Sequence, residues 1–308
     1  MNITLYQNHP IYKSLKKRIL ILDGAMGTMI QTYKLSEEDF QGDKFKGHST
    51  KLQGNNDLLS ITRPEIIKEI HRKYLEAGAD LIETNTFSAN AISQKDYDLV
   101  DQVYEMNLSS AKIAKEASKE ISEKTPEKPR YVVGAIGPTN RTASLSPDVN
   151  KPAYRNVNFN QLRDAYYEQV RGLVDGGADL LLVETVFDTL NCKAALYAIE
   201  KFFEETGQSL PLMVSVTIVD ASGRTLSGQT LEAFLVSVSH APLLSIGINC
   251  ALGAEEMRPH IEELSKLAPV FVSSYPNAGL PNEFGEYDQS TDEMTALLED
   301  FADSGFLN

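Results

Sequence analysis

The feature that most restricts this chain is an alternation. Short strand-like stretches built on an apolar run recur seven times, at 19–22, 80–84, 131–137, 179–185, 212–217, 243–253 and 270–274, and a segment with helical spacing or a long polar connection follows each one. A run of four or more apolar residues fits a strand covered on both faces, as in a parallel sheet. The intervening segments carry helix signals. Thr62-Arg63-Pro64-Glu65 is a capping box with proline in the first turn, and Gly78 supplies a stop after Ile67, Ile70 and Tyr74 on one face. Further helices are expected over 102–121, around Leu162, Tyr166, Val170 and Leu173, and over 189–205, 231–240 and 255–267. The capping box Ser290-Thr291-Asp292-Glu293 opens a last one that buries Met294, Leu297, Leu298 and Phe301.

Repeated right-handed βαβ units leave two architectures, a closed (β/α)8 TIM barrel or an open doubly wound sheet. Connections after several strands are long and polar, whereas those from helix to strand are short, which is how barrels carry their sites on one face. No G-x-G-x-x-G follows the first run, as an open nucleotide-binding sheet would favour. The expected class is therefore α/β, a (β/α)8 TIM barrel. Residues 1–17 read as a polar lead-in and 18–308 as one barrel domain, with the eighth strand largely missing at its C-terminal end. A faint internal repeat supports this: Gly78-Ala79-Asp80 leads to Glu83-Thr84, and Gly177-Ala178-Asp179 leads to Glu184-Thr185. Asp and Glu are separated by odd intervals in both copies, so the pleat preserves their relative facing.

The formal charge of −14, with no basic cluster, argues against nucleic acid and anionic membranes as partners. No apolar run approaches a bilayer span. Two cysteines in 308 residues are no disulfide framework, so a reducing cytoplasm is the expected setting.

The barrel mouth should receive Asp23, Glu83-Thr84, Gly137, Glu184-Thr185, Thr217, Asn249-Cys250 and Ser273-Ser274. No histidine ends a strand, which disfavours an imidazole base or His-based metal site, and no strand lysine offers a Schiff base. Carboxylates and a thiol remain. Cys250 is open to two readings, a small buried hydrophobe or a thiol placed for chemistry. Asp23 and Glu184 either cap a neighbouring helix, pair with a neighbour, act as acid and base, or grip a cation such as an ammonium. Gly24, Ala25 and Gly27 let backbone N–H groups approach an anion. Phe87 reads first as packing, and Cys192 as an inert helix thiol.

Taken together, Asp23-Gly24-Ala25-Met26-Gly27-Thr28, Gly54-Asn55-Asn56-Asp57, Glu83-Thr84-Asn85-Thr86-Phe87, Gly137-Pro138-Thr139-Asn140-Arg141-Thr142, Glu184-Thr185-Val186-Phe187-Asp188-Thr189, residues 220–229, Gly247-Ile248-Asn249-Cys250-Ala251-Leu252-Gly253 and residues 276–281 carry a resemblance. This set resembles the homocysteine-binding barrel at the N-terminus of cobalamin-dependent methionine synthases. It is closer to that group than to the betaine- or S-methylmethionine-dependent homocysteine methyltransferases that share the barrel. The resemblance implies zinc held by three cysteines, one after the sixth strand, where Cys250 falls, and an adjacent pair in Gly-Gly-Cys-Cys-Gly after the eighth, which this sequence lacks. It also implies that Asp23 and Glu184 hold the homocysteine amino group, and that Gly24, Ala25, Thr84, Phe87 and Asn249 line the pocket. Methyl transfer from methylcobalamin would involve cobalamin and folate domains of a parent protein. The alternatives are a binding-only chain without zinc and a standalone methyltransferase with a small-molecule donor.

Overall fold

The structure, a computed structural model, describes residues 3–219, 222–280 and 287–308. Asp220, Ala221 and Pro281, which belong to two of the motifs above, lie outside the described residues. Six parallel strands pair in chain order: β1 (Leu81–Glu83), β2 (Tyr131–Ile136), β3 (Leu180–Val186), β4 (Leu212–Val216), β5 (Leu243–Gly253) and β6 (Phe271–Asn277). The sheet curls into a half-barrel, a partial TIM barrel, with helices outside it. These are α1 (Pro64–Ala77), α2 (Val103–Lys124), α3 (Phe159–Asp175), α4 (Thr189–Thr206), α5 (Leu231–Val238), α6 (Ala254–Leu267) and α7 (Thr291–Asp303).

Residue period 2 sorts the strands between two cores. Leu180 and Leu182 join Leu81, Tyr131, Val133, Met213, Leu244 and Phe271 inside the curl, whereas Leu181 and Val183 meet the helices outside. Both faces are thus apolar, which is why the runs read as continuous rather than alternating. At about 25 cal/mol per Å² of apolar area removed from water, this two-sided burial is the dominant stabilising contribution.

The run at 19–22 is not a full strand. It reaches β1 through one parallel bridge, Leu22 to Leu81, with Asp23 N–H donating to Leu81 O at 2.9 Å. The repeated aspartates explain this junction. Asp80 accepts Ile21 N–H at 2.9 Å and a two-pronged Arg18 pair at 2.7 Å, while Asp179 accepts Val132 N–H at 2.8 Å. Each Gly-Ala-Asp therefore clamps the start of the preceding strand. The polar lead-in is folded too: short helices at Ile3–Tyr6 and Pro10–Leu15 bury Tyr6 and Ile11 against the bottom of the inner core.

The capping box expected at Thr62 is not formed. Thr62 ends a separate turn, Leu59–Thr62, whose Leu59 and Ser60 are buried, and Arg63 precedes α1 without a side-chain cap. Pro64 takes the first position and Gly78 adopts φ +114° as the stop, as expected. The box at Ser290–Glu293 forms in both directions and starts α7.

Candidate active site

The carboxyl ends of the strands surround a cavity of about 820 Å³. Asp23, Gly24 and Ala25 just after the first run, Glu83 at the end of β1 and Thr84 to Phe87 after it, Glu184 from β3, Cys250 from β5 and Tyr275 from β6 all line it, with Gly54–Asp57 closing one side.

Three carboxylates meet at its floor. Glu83 N–H donates to both oxygens of Asp23 at 3.1 Å, and Tyr275 Oη lies 3.5 Å from Glu184 Oε2. Glu83 Oε1 is buried with no partner. Burial raises all three acids. Glu83 is pushed up to about 7, while Asp23 and Glu184 stand well above the usual carboxylate range, raised also by the charge of Glu83. Packing like charges into a water-poor site favours their protonated forms. No lysine, arginine or histidine is among the described residues that line the cavity.

Cys250 stands at the rim of the same space, half-buried, in a left-handed conformation with φ +56°, and Ala251 follows at +58°. Thr185, across the sheet, has φ +53°, a rare state for a β-branched residue. One side chain holds both. Asn249 Oδ1 accepts Thr185 N–H at 3.1 Å and Ser215 Oγ–H at 2.6 Å, and Asn249 Nδ2 donates to Thr185 Oγ1 at 2.8 Å and to Cys250 Sγ at 3.1 Å. Strain of this sort persists only where neighbours impose it. Burial raises the Cys250 thiol, against the lowering effect of the Asn249 bond.

The structure therefore brings Asp23, Gly24, Ala25, Thr84, Phe87, Glu184 and Cys250 to one cavity. Asn249 lies beneath its wall, fully buried, and acts through Thr185 and Cys250. Thr84 Oγ1 is turned into the protein, bonded to Thr86 Oγ1 at 2.6 Å and to Ala135 N–H at 3.0 Å. Phe87 is half-exposed and packs on Gly137, where any Cβ would come within 2.3 Å of Phe87 O. Glu83 and Tyr275 are the residues that sequence reasoning did not assign a role. The internal repeat carried the signal for Glu83, since it makes Glu83 the counterpart of Glu184.

A tetrahedral zinc with one position open for substrate needs three protein ligands. The chain holds two cysteines, and Cys192 is enclosed within α4. Among the described residues, no three His, Cys, Asp or Glu side chains are gathered as ligands. The residues present thus supply one sulfur and do not complete the three-sulfur site. The described residues also include no helix long and apolar enough to cross a membrane.

A sequence model described as homocysteine S-methyltransferase matches residues 20–308. Among solved structures, the oxidized form of the homocysteine methyltransferase MmuM from Escherichia coli superposes with a TM-score of 0.73 at 21% identity, covering 97% of this chain and 92% of that one. Its metallated form gives 0.69 at 22% identity, covering 88% of each. A 2-naphthoyl-CoA reductase complex matches at 0.52 and 10% identity, covering 78% of this chain and 43% of that one, a likeness of barrel alone.

Proposed function

The chain belongs to the homocysteine S-methyltransferase family, and from that premise we propose that its half-barrel binds homocysteine with the α-ammonium on Asp23, Glu83 and Glu184. The observation that carries this is three buried carboxyl groups packed at one floor, with no cation among the described lining residues. An ammonium satisfies that arrangement through charge-assisted hydrogen bonds, which are about twice as strong as neutral ones. The backbone at Gly24–Ala25 receives the substrate carboxylate, and the Thr84–Phe87 segment walls the aliphatic chain. The homocysteine sulfur is then directed toward Cys250. The homocysteine thiol must lose its proton to solvent first, because the thiolate is the nucleophile; its sulfur then attacks the methyl carbon as the bond from that carbon to the donor breaks, giving the thioether of methionine and the demethylated donor.

Within this reading the protein is the thiol-activating module of a methionine synthase, with Cys250 as one zinc ligand and cobalamin and folate domains as partners. Two more sulfurs would have to come from outside this sequence, so the residues of this chain do not hold the metal by themselves. For the 308-residue chain, homocysteine binding without tight one-to-one zinc is the expected behaviour.

Calorimetric titration tests the assignment. Wild-type chain should bind homocysteine, and Glu184→Gln should weaken it by about thirtyfold or more, the cost of about 2 kcal/mol upward for losing one charged partner of a buried pair. An unchanged affinity in Glu184→Gln would contradict the ammonium assignment.

A further inference from the structure

Helix α4 starts directly beyond a wall of the cavity. Phe187 lines the mouth, and the next residue, Asp188, is the N-cap. Among the described helices Asp188 is the only carboxylate in that position; the other side-chain caps are His9, Ser36, Asn90, Asn158, Thr230 and Ser290. A cap needs one acceptor oxygen, and a neutral side chain provides it. Asp188 Oδ1 does this work, accepting Leu190 N–H at 2.9 Å and Asn191 N–H at 3.3 Å. The second oxygen serves something else. Asp188 Oδ2 accepts Ser144 N–H at 3.0 Å, and Ser144 Oγ–H donates to Oδ1 at 2.7 Å.

Asn191, within the first turn of α4, extends the same attachment. Its Oδ1 accepts Ala143 N–H at 3.0 Å, and its Nδ2 donates to Thr139 Oγ1 at 3.1 Å and to Arg141 O at 2.9 Å. Asp188 and Asn191 are both buried. Together they fix residues 139–144 within the connection 137–158 that joins β2 to α3. That connection is far longer than the usual four to six or so residues, so its position must come from ties to other elements. The held stretch matters to the site, because Pro138, Thr139 and Asn140 line the cavity alongside Phe187 and Glu184. Its other tie is at the surface, where Asn140 and Arg141 reach Asp96 at 2.6 and 3.2 Å. The Arg141–Asp96 pair is 31% and 49% exposed, and exposed pairs contribute little. The buried tie at α4 sets the position.

We propose that Asp188 is a positioning residue of the cavity: one carboxylate oxygen starts α4, and the other pins residues 138–144 as a wall of the homocysteine pocket. A carboxylate suits both tasks because it presents two acceptor oxygens, where an amide has one. The occupant of the pocket rests on the function proposed above; the anchor does not.

Asp188→Asn separates the two tasks. Asn caps a helix about as well as Asp, but with Oδ1 kept on the helix its Nδ2–H meets Ser144 N–H, donor against donor. In amide hydrogen exchange on the full chain, Ser144 should exchange at least about tenfold faster in this variant, with the amides of α4 unchanged. Calorimetric titration should show homocysteine bound about tenfold more weakly, and about threefold more weakly in Ser144→Ala, which leaves the cap intact. The double variant should bind no more weakly than Asp188→Asn alone, since both changes break one attachment; independent effects would multiply to about thirtyfold. Unchanged exchange at Ser144, exchange that rises throughout α4, wild-type affinity in Asp188→Asn, or a multiplied loss in the double variant would each overturn the proposal. Should Asp188→Asn not fold, Ser144→Ala carries the test, and wild-type affinity there overturns it. Should wild type fail to bind homocysteine, the function reading falls alone, and exchange at Ser144 still decides the anchor.

Discussion

The two cysteines of this chain carry the same atoms into opposite surroundings. Cys192 sits in α4 with helical backbone, 2% exposed, inside the apolar layer between helices and sheet, and burial pushes its thiol up to about 12. Cys250 sits at the end of β5 with left-handed backbone, half-buried, its sulfur bonded by Asn249 at the rim of a cavity floored by three acids. The first site is relaxed and apolar, and its thiol is a space-filler. The second holds strained backbone, crowded like charges and an orphaned buried oxygen on Glu83, features that lower stability and persist where a ligand is to be met. The helical layer stabilises the fold, and the strand ends give up some of that stability for binding.

The largest expected contrast is chemical. With an aromatic disulfide reagent at pH 8, Cys250 should label at least about a hundredfold faster than Cys192, whose reaction awaits unfolding. Equal rates would erase the distinction. A smaller contrast is energetic. Cys192→Ser places a hydroxyl without a partner in the apolar layer and should cost about 1–3 kcal/mol in urea unfolding, whereas Cys250→Ser should change stability by less than about 0.5 kcal/mol.

The smallest contrast concerns pH. Burial raises Glu83 to about 7 in the folded protein from an ordinary value of 4.5, so the folded state holds a proton that the unfolded state has lost between those values. Stability of the ligand-free protein should therefore fall as pH rises through that window. Glu83→Gln removes the ionisation, and its melting temperature should exceed that of wild type by about 3–6 °C at pH 8, with the difference closing near pH 4.5. A Glu83→Gln variant no more stable than wild type at pH 8 would show that the floor is not strained by charge.

These contrasts were unevenly legible in the sequence. The runs at 131, 179, 212 and 243 mark their strands to within about a residue, because burial on both faces forces continuous apolar side chains. Asp23, Glu184 and Cys250 could be placed at the mouth for the same reason: a strand end is a position on a face. What periodicity could not give was tertiary. The run at 19–22 has the same composition as the others but makes a single bridge. Thr62 has the right neighbours for a cap, yet Leu59 and Ser60, buried in the fold, draw it into a preceding turn. Asp57 lies in a short turn, and its place in the cavity lining, held by the distant Ser88 N–H, is a tertiary fact with no local signal. Tyr275, an aromatic in β6, meets Glu184 across 91 residues of sequence. The family resemblance implies Asn249 as a pocket residue, but its bonds to Thr185 and Ser215 turn it inward.

The most direct test of the account is a crystal structure of the chain with homocysteine. The substrate nitrogen should lie within hydrogen-bond distance of Asp23 and Glu184, with its sulfur on the Cys250 side of the cavity. A nitrogen bound away from both carboxylates, or a sulfur pointing out past Phe87 to solvent, would contradict it.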